Sequence, residues 1–226
     1  MLIDKSMTKE VVTIGKDTGI LEAKNLMDRH KVRHLPVITE DGTLLGIVTD
    51  RDLRSAMPSI AMDDFDSAQV REKLASLKAE DIMTPDPVAV SPTYTLQDAI
   101  LLMQKMKVGA FPVVDQQKKL LGIISIRDLM RAFVNVLGIG EPGTLLGILV
   151  EQKKGNMKKI VDAITEENIS FGSILVARYW DESKRAVFPY LLTNNVARIK
   201  KKLTDMGYTL LDPMEWYLEH LPGMKK

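Results

Sequence analysis

Residues 44–53, Leu-Leu-Gly-Ile-Val-Thr-Asp-Arg-Asp-Leu, return as residues 120–129, Leu-Leu-Gly-Ile-Ile-Ser-Ile-Arg-Asp-Leu, a shift of 76 positions (44 to 120). Extended outward, residues 7–56 align with residues 83–132 without a gap, and about a third of the positions are identical. Met7-Thr8 meets Met83-Thr84, Lys31-Val32 meets Lys107-Val108, and Pro36-Val37 meets Pro112-Val113. An internal repeat of this length predicts two copies of one unit that cover each other's apolar faces. Two packed copies also create two equivalent clefts.

Each copy opens with a short apolar run, 11–14 or 88–90, and then changes to helical spacing. Ile20, Ala23 and Met27 lie at i, i+3, i+7, and Leu96, Ala99 and Met103 repeat the face. Gly19 with Glu22 and Thr95 with Asp98 occupy the cap and third positions of a capping box. Two apolar runs follow, 35–38 and 44–48, joined by Glu40-Asp41-Gly42, a hairpin signal that the second copy replaces with the less specific Gln116-Gln117-Lys118. A second helix opens at Arg51-Asp52-Leu53 or Arg127-Asp128-Leu129, so the unit reads strand, helix, strand, strand, helix.

Beyond Gly138 the pattern changes. Strand 145–150, helix 156–167, strands 170–180 and 185–192, helix 194–206 and strand 208–211 give the ferredoxin-like order β-α-β-β-α-β. The expected organisation is a first repeat (1–56), a connecting loop and polar helix (57–76), a second repeat (77–137), a linker (138–143), a third, ferredoxin-like segment (144–213) and a tail (214–226). The fold class is α/β in the broad sense, α+β in detail.

The bulk composition narrows the function. With 226 residues and 45% hydrophobic side chains the chain can bury a core, and 31 basic against 30 acidic residues leave a net charge of +1. No global field draws it to nucleic acid or to an anionic membrane, so any preference for anions is local. Zero cysteines exclude disulfides, zinc-thiolate sites and thiol nucleophiles, which suits the reducing cytoplasm. The start, MLIDKSM, carries charge where a secretory signal is apolar, and no apolar run approaches the length of a membrane span. Neither export nor membrane insertion is expected.

The junctions Gly46 to Leu53 and Gly122 to Leu129 share Gly, two apolar residues, Ser or Thr, two residues, Asp, Leu. A strand that ends in a hydroxyl residue and enters a helix presents unpaired backbone N–H groups, a favourable place for a phosphate, with Thr49 or Ser125 adding a hydroxyl. Asp52 and Asp128 are anionic and cannot hold phosphate, so a nucleotide reading gives their carboxylates to ribose hydroxyls. The same spacing is also a plain capping box, worth about 1 kcal/mol with no ligand at all. Its recurrence at equivalent places favours a ligand site. His30, Lys31, Arg33 and His34 cluster before the second strand of the first copy and serve either as a solvated helix end or as phosphate ligands, with Arg51 and Arg127 as further candidates. The second copy has Gly109-Ala110 in place of Arg33-His34, so the two clefts are not expected to bind alike.

Other motifs carry less. Gly138 to Gly143 matches G-x-G-x-x-G, but it follows a helix and precedes a strand, the reverse of a dinucleotide fingerprint. Arg198 to Lys202 reads as a solvated helix face rather than a nucleic-acid patch. Three histidines, His30, His34 and His220, fall in no catalytic or metal-ligand spacing, so no catalytic residue, metal or cofactor is expected. The thirteen methionines suit core filling or an adaptable interface.

The doubled pattern, with Asp81-Ile82-Met83-Thr84 opening the second copy and Gly-h-h-[Ser/Thr]-x-x-Asp-Leu closing each, resembles a tandem pair of CBS domains, a Bateman module, over about residues 1–133. Residues 144–213 resemble an ACT domain. The loop 151–156 keeps the glycine of that family's Asp-x-x-Pro-Gly element but not its proline. A CBS pair followed by an ACT-like domain is similar to the AcuB-type acetoin-utilisation proteins. The resemblance implies a non-enzymatic regulatory protein that senses an adenosine-containing nucleotide, AMP, ADP, ATP or S-adenosylmethionine, as a homodimer. Carried over by position, the ribose carboxylates are Asp52 and Asp128 and the phosphate-side hydroxyls Thr49 and Ser125. The adenine lies near His34-Leu35-Pro36 and Ala110-Phe111-Pro112, with Val12, Val32, Val88 and Val108 as apolar walls. Which strand serves which cleft stays open, as does a second reading in which the domains only build an oligomer and dock a protein partner.

Overall fold

The computed structural model describes residues 1–57, 74–138, 140–177 and 183–211. Most of the expected connecting loop and helix, and the tail, lie outside these residues. The chain divides into two compact units, Met1–Met130 and Arg131–Lys226.

In the first unit, repeat one supplies α1 (Ile20–His30), β1 (His34–Ile38), β2 (Leu44–Thr49) and α2 (Asp50–Ala56). After α3 (Ala79–Ile82) and the two-residue β3 (Thr84–Pro85), repeat two supplies α4 (Leu96–Met106), β4 (Ala110–Val114), β5 (Leu120–Ser125) and α5 (Ile126–Leu137). The repeat is reproduced in detail. Both hairpins are antiparallel with a register shift at the same place, Val37/Ile38 and Val113/Val114. Both first helices end in a left-handed lysine, Lys31 (φ 54) and Lys107 (φ 56).

The apolar runs expected as opening strands shrink to single bridges, Ile14 to Val37 and Val90 to Val113. Ile14 donates its N–H to Pro36 O (3.1 Å) and accepts from Ile38 N (2.9 Å), and Val90 does the same with Pro112 O and Val114 N. The next rung of this parallel ladder requires an N–H from Pro36 or Pro112, and proline has none. The proline of each second strand therefore stops the first strand after one residue.

The two first helices begin alike but are capped differently. Thr95 and Asp98 close a full capping box, whereas Gly19 holds the N-cap position with no side chain to bond. The hairpin turns converge despite their sequences: Lys118 (φ 60) adopts the left-handed conformation that Gly42 (φ 84) adopts in the first copy. The Asp115 carboxylate holds it there by accepting from Gln117 N (2.9 Å) and Lys119 N (2.8 Å).

The copies exchange their leading segments. β3, at the head of the second repeat, pairs with β2 of the first through Gly46↔Pro85 and Ile47↔Thr84. Thr8, at the head of the first repeat, pairs with Ile123 of the second, each donating to the other at 2.9 Å. Glycine in the repeated junction follows from this exchange. A Cβ at Gly122 would lie 2.7 Å from Met7 Sδ and 2.9 Å from Thr8 O, and at Gly46 it would meet Met83 Sδ inside contact distance and Thr84 O at 3.1 Å.

The core follows the same repeat. Ile14, Ile20, Ala23, Met27, Leu35, Val37, Val48 and Leu53 pack together with Ala79 in one cluster. Their equivalents Val90, Leu96, Ala99, Met103, Phe111, Val113, Ile124 and Leu129, and Ile3 in the place of Ala79, are buried in the second copy. Full burial of each large aliphatic side chain contributes about 1.5–3 kcal/mol.

The second unit begins within α5 and contains β6 (Thr144–Leu145), β7 (Gly147–Glu151), α6 (Asn156–Glu166), β8 (Phe171–Ala177), β9 (Lys184–Leu191), α7 (Ala197–Asp205) and β10 (Thr209–Leu211). Its sheet runs β10-β7-β9-β8, all neighbours antiparallel, with β6 continuing along β9. This is the ferredoxin-like β-α-β-β-α-β arrangement. The expected strand 145–150 is broken at Leu146, opposite Pro189, which accepts Leu146 N (3.0 Å) but has no N–H to return. Ile160, Ile164, Ile199 and Leu203 of the helices pack on Ile148, Val150, Val187 and Leu191 of the sheet. Gly138 (φ 69) lies past the end of α5, and its Cβ would stand 2.9 Å from Gly172 Cα. The glycine-rich run 138–143 is thus a helix stop and linker.

Candidate functional site

The exchange of leading segments decides which residues share a cleft. The β2–α2 junction of repeat one, the Thr84–Val88 stretch and the start of β4 in repeat two enclose a cavity of about 550 Å³ within the first unit. That volume falls in the usual range for a small-molecule site.

Thr49 ends β2 with extended backbone (φ −111, ψ 161) and caps α2. Asp52 Oδ2 accepts from Thr49 N (2.8 Å) and Thr49 Oγ1 (2.7 Å), while Asp52 N donates back to Thr49 Oγ1 (3.3 Å). The cap uses both lone pairs of Oδ2, and Oδ1 accepts no hydrogen bond from a described residue. Ser125 and Asp128 build the same cap, with Ser125 N (2.9 Å) and Oγ (2.6 Å) donating to Oδ2. There the second oxygen is also taken, because Thr8 Oγ1 donates to Asp128 Oδ1 at 3.1 Å. Asp128 is only 5% exposed, whereas Asp52 is half-buried on the cavity wall. Equivalent sequence motifs therefore give one carboxylate with an open oxygen and one whose two oxygens are both engaged.

Of the sequence candidates, Thr49, Arg51, Asp52, Arg33, His34, Val88, Val108, Ala110, Phe111 and Pro112 line this cavity. Arg33-His34 and Gly109-Ala110, which the sequence assigns to different copies, meet on the same wall. A Cβ at Gly109 would lie 3.4 Å from His34 Nε2, so the imidazole sits directly beside the glycine. Burial holds the His34 imidazole below the ordinary histidine value, Arg33 adds to the effect, and the Asp52 carboxylate opposes it.

Ser125, Asp128, Arg127, Leu35, Pro36 and Val12 are placed elsewhere. Arg127 Nη1 donates to Lys31 O (3.2 Å), Leu35 is fully buried in the core, Pro36 carries the bridge to Ile14, and Val12 packs on the first-copy core. The cavity adds residues outside the sequence candidates, among them Thr84, Lys107, Asp50 and Arg54. Two of these lay within reach of sequence reasoning: Met83-Thr84 and Lys107-Val108 are repeat identities.

Among the described residues no group of histidine, cysteine or carboxylate side chains is arranged to hold a metal ion, and no helix is long and apolar enough to cross a membrane.

The CBS domain family matches residues 3–59 and 79–135, one match for each copy. A CBS domain-containing protein of Dictyostelium discoideum is 34% identical over 137 residues, which is 61% of this chain and 94% of that protein. The inosine-5'-monophosphate dehydrogenase of Methanocaldococcus jannaschii is 30% identical over 128 residues, 57% of this chain but 23% of the enzyme. Among solved structures, CBSX2 in complex with AMP, a protein of Arabidopsis thaliana, is 32% identical over 59% of this chain and 96% of its own, at a TM-score of 0.50. A Vibrio cholerae protein described as an acetoin utilization protein (AcuB) is 29% identical over 63% of this chain and 98% of its own, at a TM-score of 0.51. The family matches at the two repeats, their shared fold and the paired junctions agree: the chain belongs to the CBS domain family.

Proposed function

We propose that the chain is a non-catalytic sensor that binds an adenosine-containing nucleotide, AMP, ADP, ATP or S-adenosylmethionine, in the cleft between its CBS repeats. The observation that carries this is the cavity where the Thr49–Asp52 junction of one copy faces Val88 and the Ala110–Pro112 strand start of the other. Apolar side chains suit a flat base, and the open Asp52 oxygen suits a ribose hydroxyl. The AMP complex of CBSX2, at 32% identity, supports the choice of ligand class.

In this reading the protein acts in the cytoplasm as a homodimer built through its CBS pair. Its C-terminal unit is an ACT-like domain, and the likeness to the Vibrio cholerae protein suggests a role in acetoin utilisation. Ligand-driven signalling then requires a difference in affinity between two packings of the repeats, since equal binding to both shifts nothing. Titration calorimetry with AMP, ADP, ATP and S-adenosylmethionine, on wild type and on Asp52→Ala and Asp128→Ala, tests the assignment. A micromolar Kd, about 8 kcal/mol, is adequate for a metabolite sensor. No heat from any ligand refutes it.

One observation favours a second reading. Both hydroxyl-x-x-Asp junctions are complete as helix caps, and Asp128 needs no ligand to satisfy it. A purely structural CBS pair that docks a protein partner would show a melting temperature indifferent to saturating nucleotide.

A further inference from the structure

We infer that the Asp52 cleft selects an adenosine ligand by its negative charge, taking the di- or triphosphate in preference to S-adenosylmethionine, and that the Asp128 cleft takes none. This rests on the adenosyl reading above and adds the ligand's charge and the number of sites.

The argument starts from which charges on the cavity wall are already neutralised. Four cations line it, Arg33, Arg51, Arg54 and Lys107, against Asp50, Asp52 and Asp86. Arg54 is paired with Asp50 at 2.9 Å and also donates to its carbonyl at 3.3 Å. Asp86 is paired with Lys118 at 3.0 Å. Arg33, Arg51 and Lys107 remain, all exposed, and none has a hydrogen bond or ion pair from its side chain among the described residues. They face a single unpaired carboxylate, Asp52, which is reserved for the ribose.

Three uncommitted cations around one cavity focus a positive field that attracts a polyanion and repels a sulfonium cation. Guanidinium groups also match phosphate oxygens in geometry. The second copy keeps one of these cations and alters the rest. Lys31 is its counterpart of Lys107, but Gly109 stands for Arg33, Met130 stands for Arg54, and Arg127, the counterpart of Arg51, is bonded to the Lys31 carbonyl. Its carboxylate, Asp128, has Thr8 on one oxygen and Ser125 on the other. The difference in cations is written in the sequence, whereas the difference between the two carboxylates is a property of the folded pair.

Titration calorimetry on the full chain with ATP, ADP, AMP, S-adenosylmethionine and 5'-methylthioadenosine reads both parts. The expected order is ATP, then ADP, then AMP, with S-adenosylmethionine at least tenfold weaker than ATP and a stoichiometry of one per chain. Arg33→Ala, Arg51→Ala and Lys107→Ala alter exposed side chains and are expected to leave the melting curve in place, while each weakens ATP about tenfold and 5'-methylthioadenosine about twofold or less. Asp128→Asn leaves ATP affinity within about twofold. Equal affinity for ATP and S-adenosylmethionine, indifference of ATP to all three cation variants, or a second site lost with Asp128→Asn would overturn the inference while the adenosyl reading stood. Silence from every ligand would remove that reading and this one with it.

Discussion

Substituting Gly46 by alanine tests the exchange of leading segments on which the cleft depends. The added Cβ meets Met83 Sδ inside contact distance, Met83 Cγ at 3.0 Å and Thr84 O at 3.1 Å, all from the leading segment of the second repeat. The thioether can swing aside, but Thr84 O belongs to the β2–β3 pairing and moves only if that ladder does. Overpacking of this kind costs about 1–3 kcal/mol. Restricting the unfolded chain returns about 0.4–1 kcal/mol, because Gly46 has no positive φ to lose. The net destabilisation is then about 1–2 kcal/mol, read as a lower urea midpoint for the first unit at unchanged slope. At roughly 2–4 °C per kcal/mol for a chain of this size, the melting temperature falls by about 2–8 °C. Met83→Ala in the same chain should recover part of the loss, a coupling of about 1 kcal/mol, whereas Met7→Ala should simply add its own effect. A neutral Gly46→Ala, or rescue by Met7→Ala instead of Met83→Ala, would refute the exchanged arrangement.

Two further outcomes follow from local geometry. Thr95→Ala removes the hydroxyl that accepts Asp98 N at 3.1 Å and should lower stability by about 1 kcal/mol in urea denaturation, whereas Thr95→Gly, which gives the second copy the cap residue that Gly19 supplies in the first, should cost only about a few tenths of that. Burial keeps His34 more readily neutral in the folded chain than in the unfolded one, so the unfolded state binds the extra proton first. Stability should therefore fall as pH drops from about 6.5, the unfolded value, towards the lower folded value, and His34→Gln should flatten that part of a melting-temperature profile between pH 7 and 5.

Much of the fold was legible because it is local. The 3.6-residue spacing of Ile20, Ala23 and Met27 and of Leu96, Ala99 and Met103 matches faces that are buried in the structure. The hairpins, the Thr95 cap and the β-α-β-β-α-β order of the second unit also follow from short-range pattern and turn chemistry. The opening strands were overcalled. Only Ile14 and Val90 of these runs are buried, and the effect of Pro36 and Pro112 on the neighbouring ladder appears only once the pairing partner is known.

The candidate site divides in the same way. The two junctions and their hydroxyl and carboxylate residues were visible in the repeat, and so was the mismatch of Arg33-His34 with Gly109-Ala110. What the sequence determined by itself is that two copies of one unit exist and that each ends in the same capped junction, because caps and periodicity involve residues only a few positions apart. Tertiary structure alone decided that Thr84 joins Thr49 and Asp52 while Thr8 closes over Asp128. The leading segments share Met-Thr and the junctions share their glycine, so local pattern offers each segment equivalent partners in either repeat, and only the folded pair shows that Met7 packs against Gly122 and Met83 against Gly46. That choice leaves one carboxylate open and engages the other.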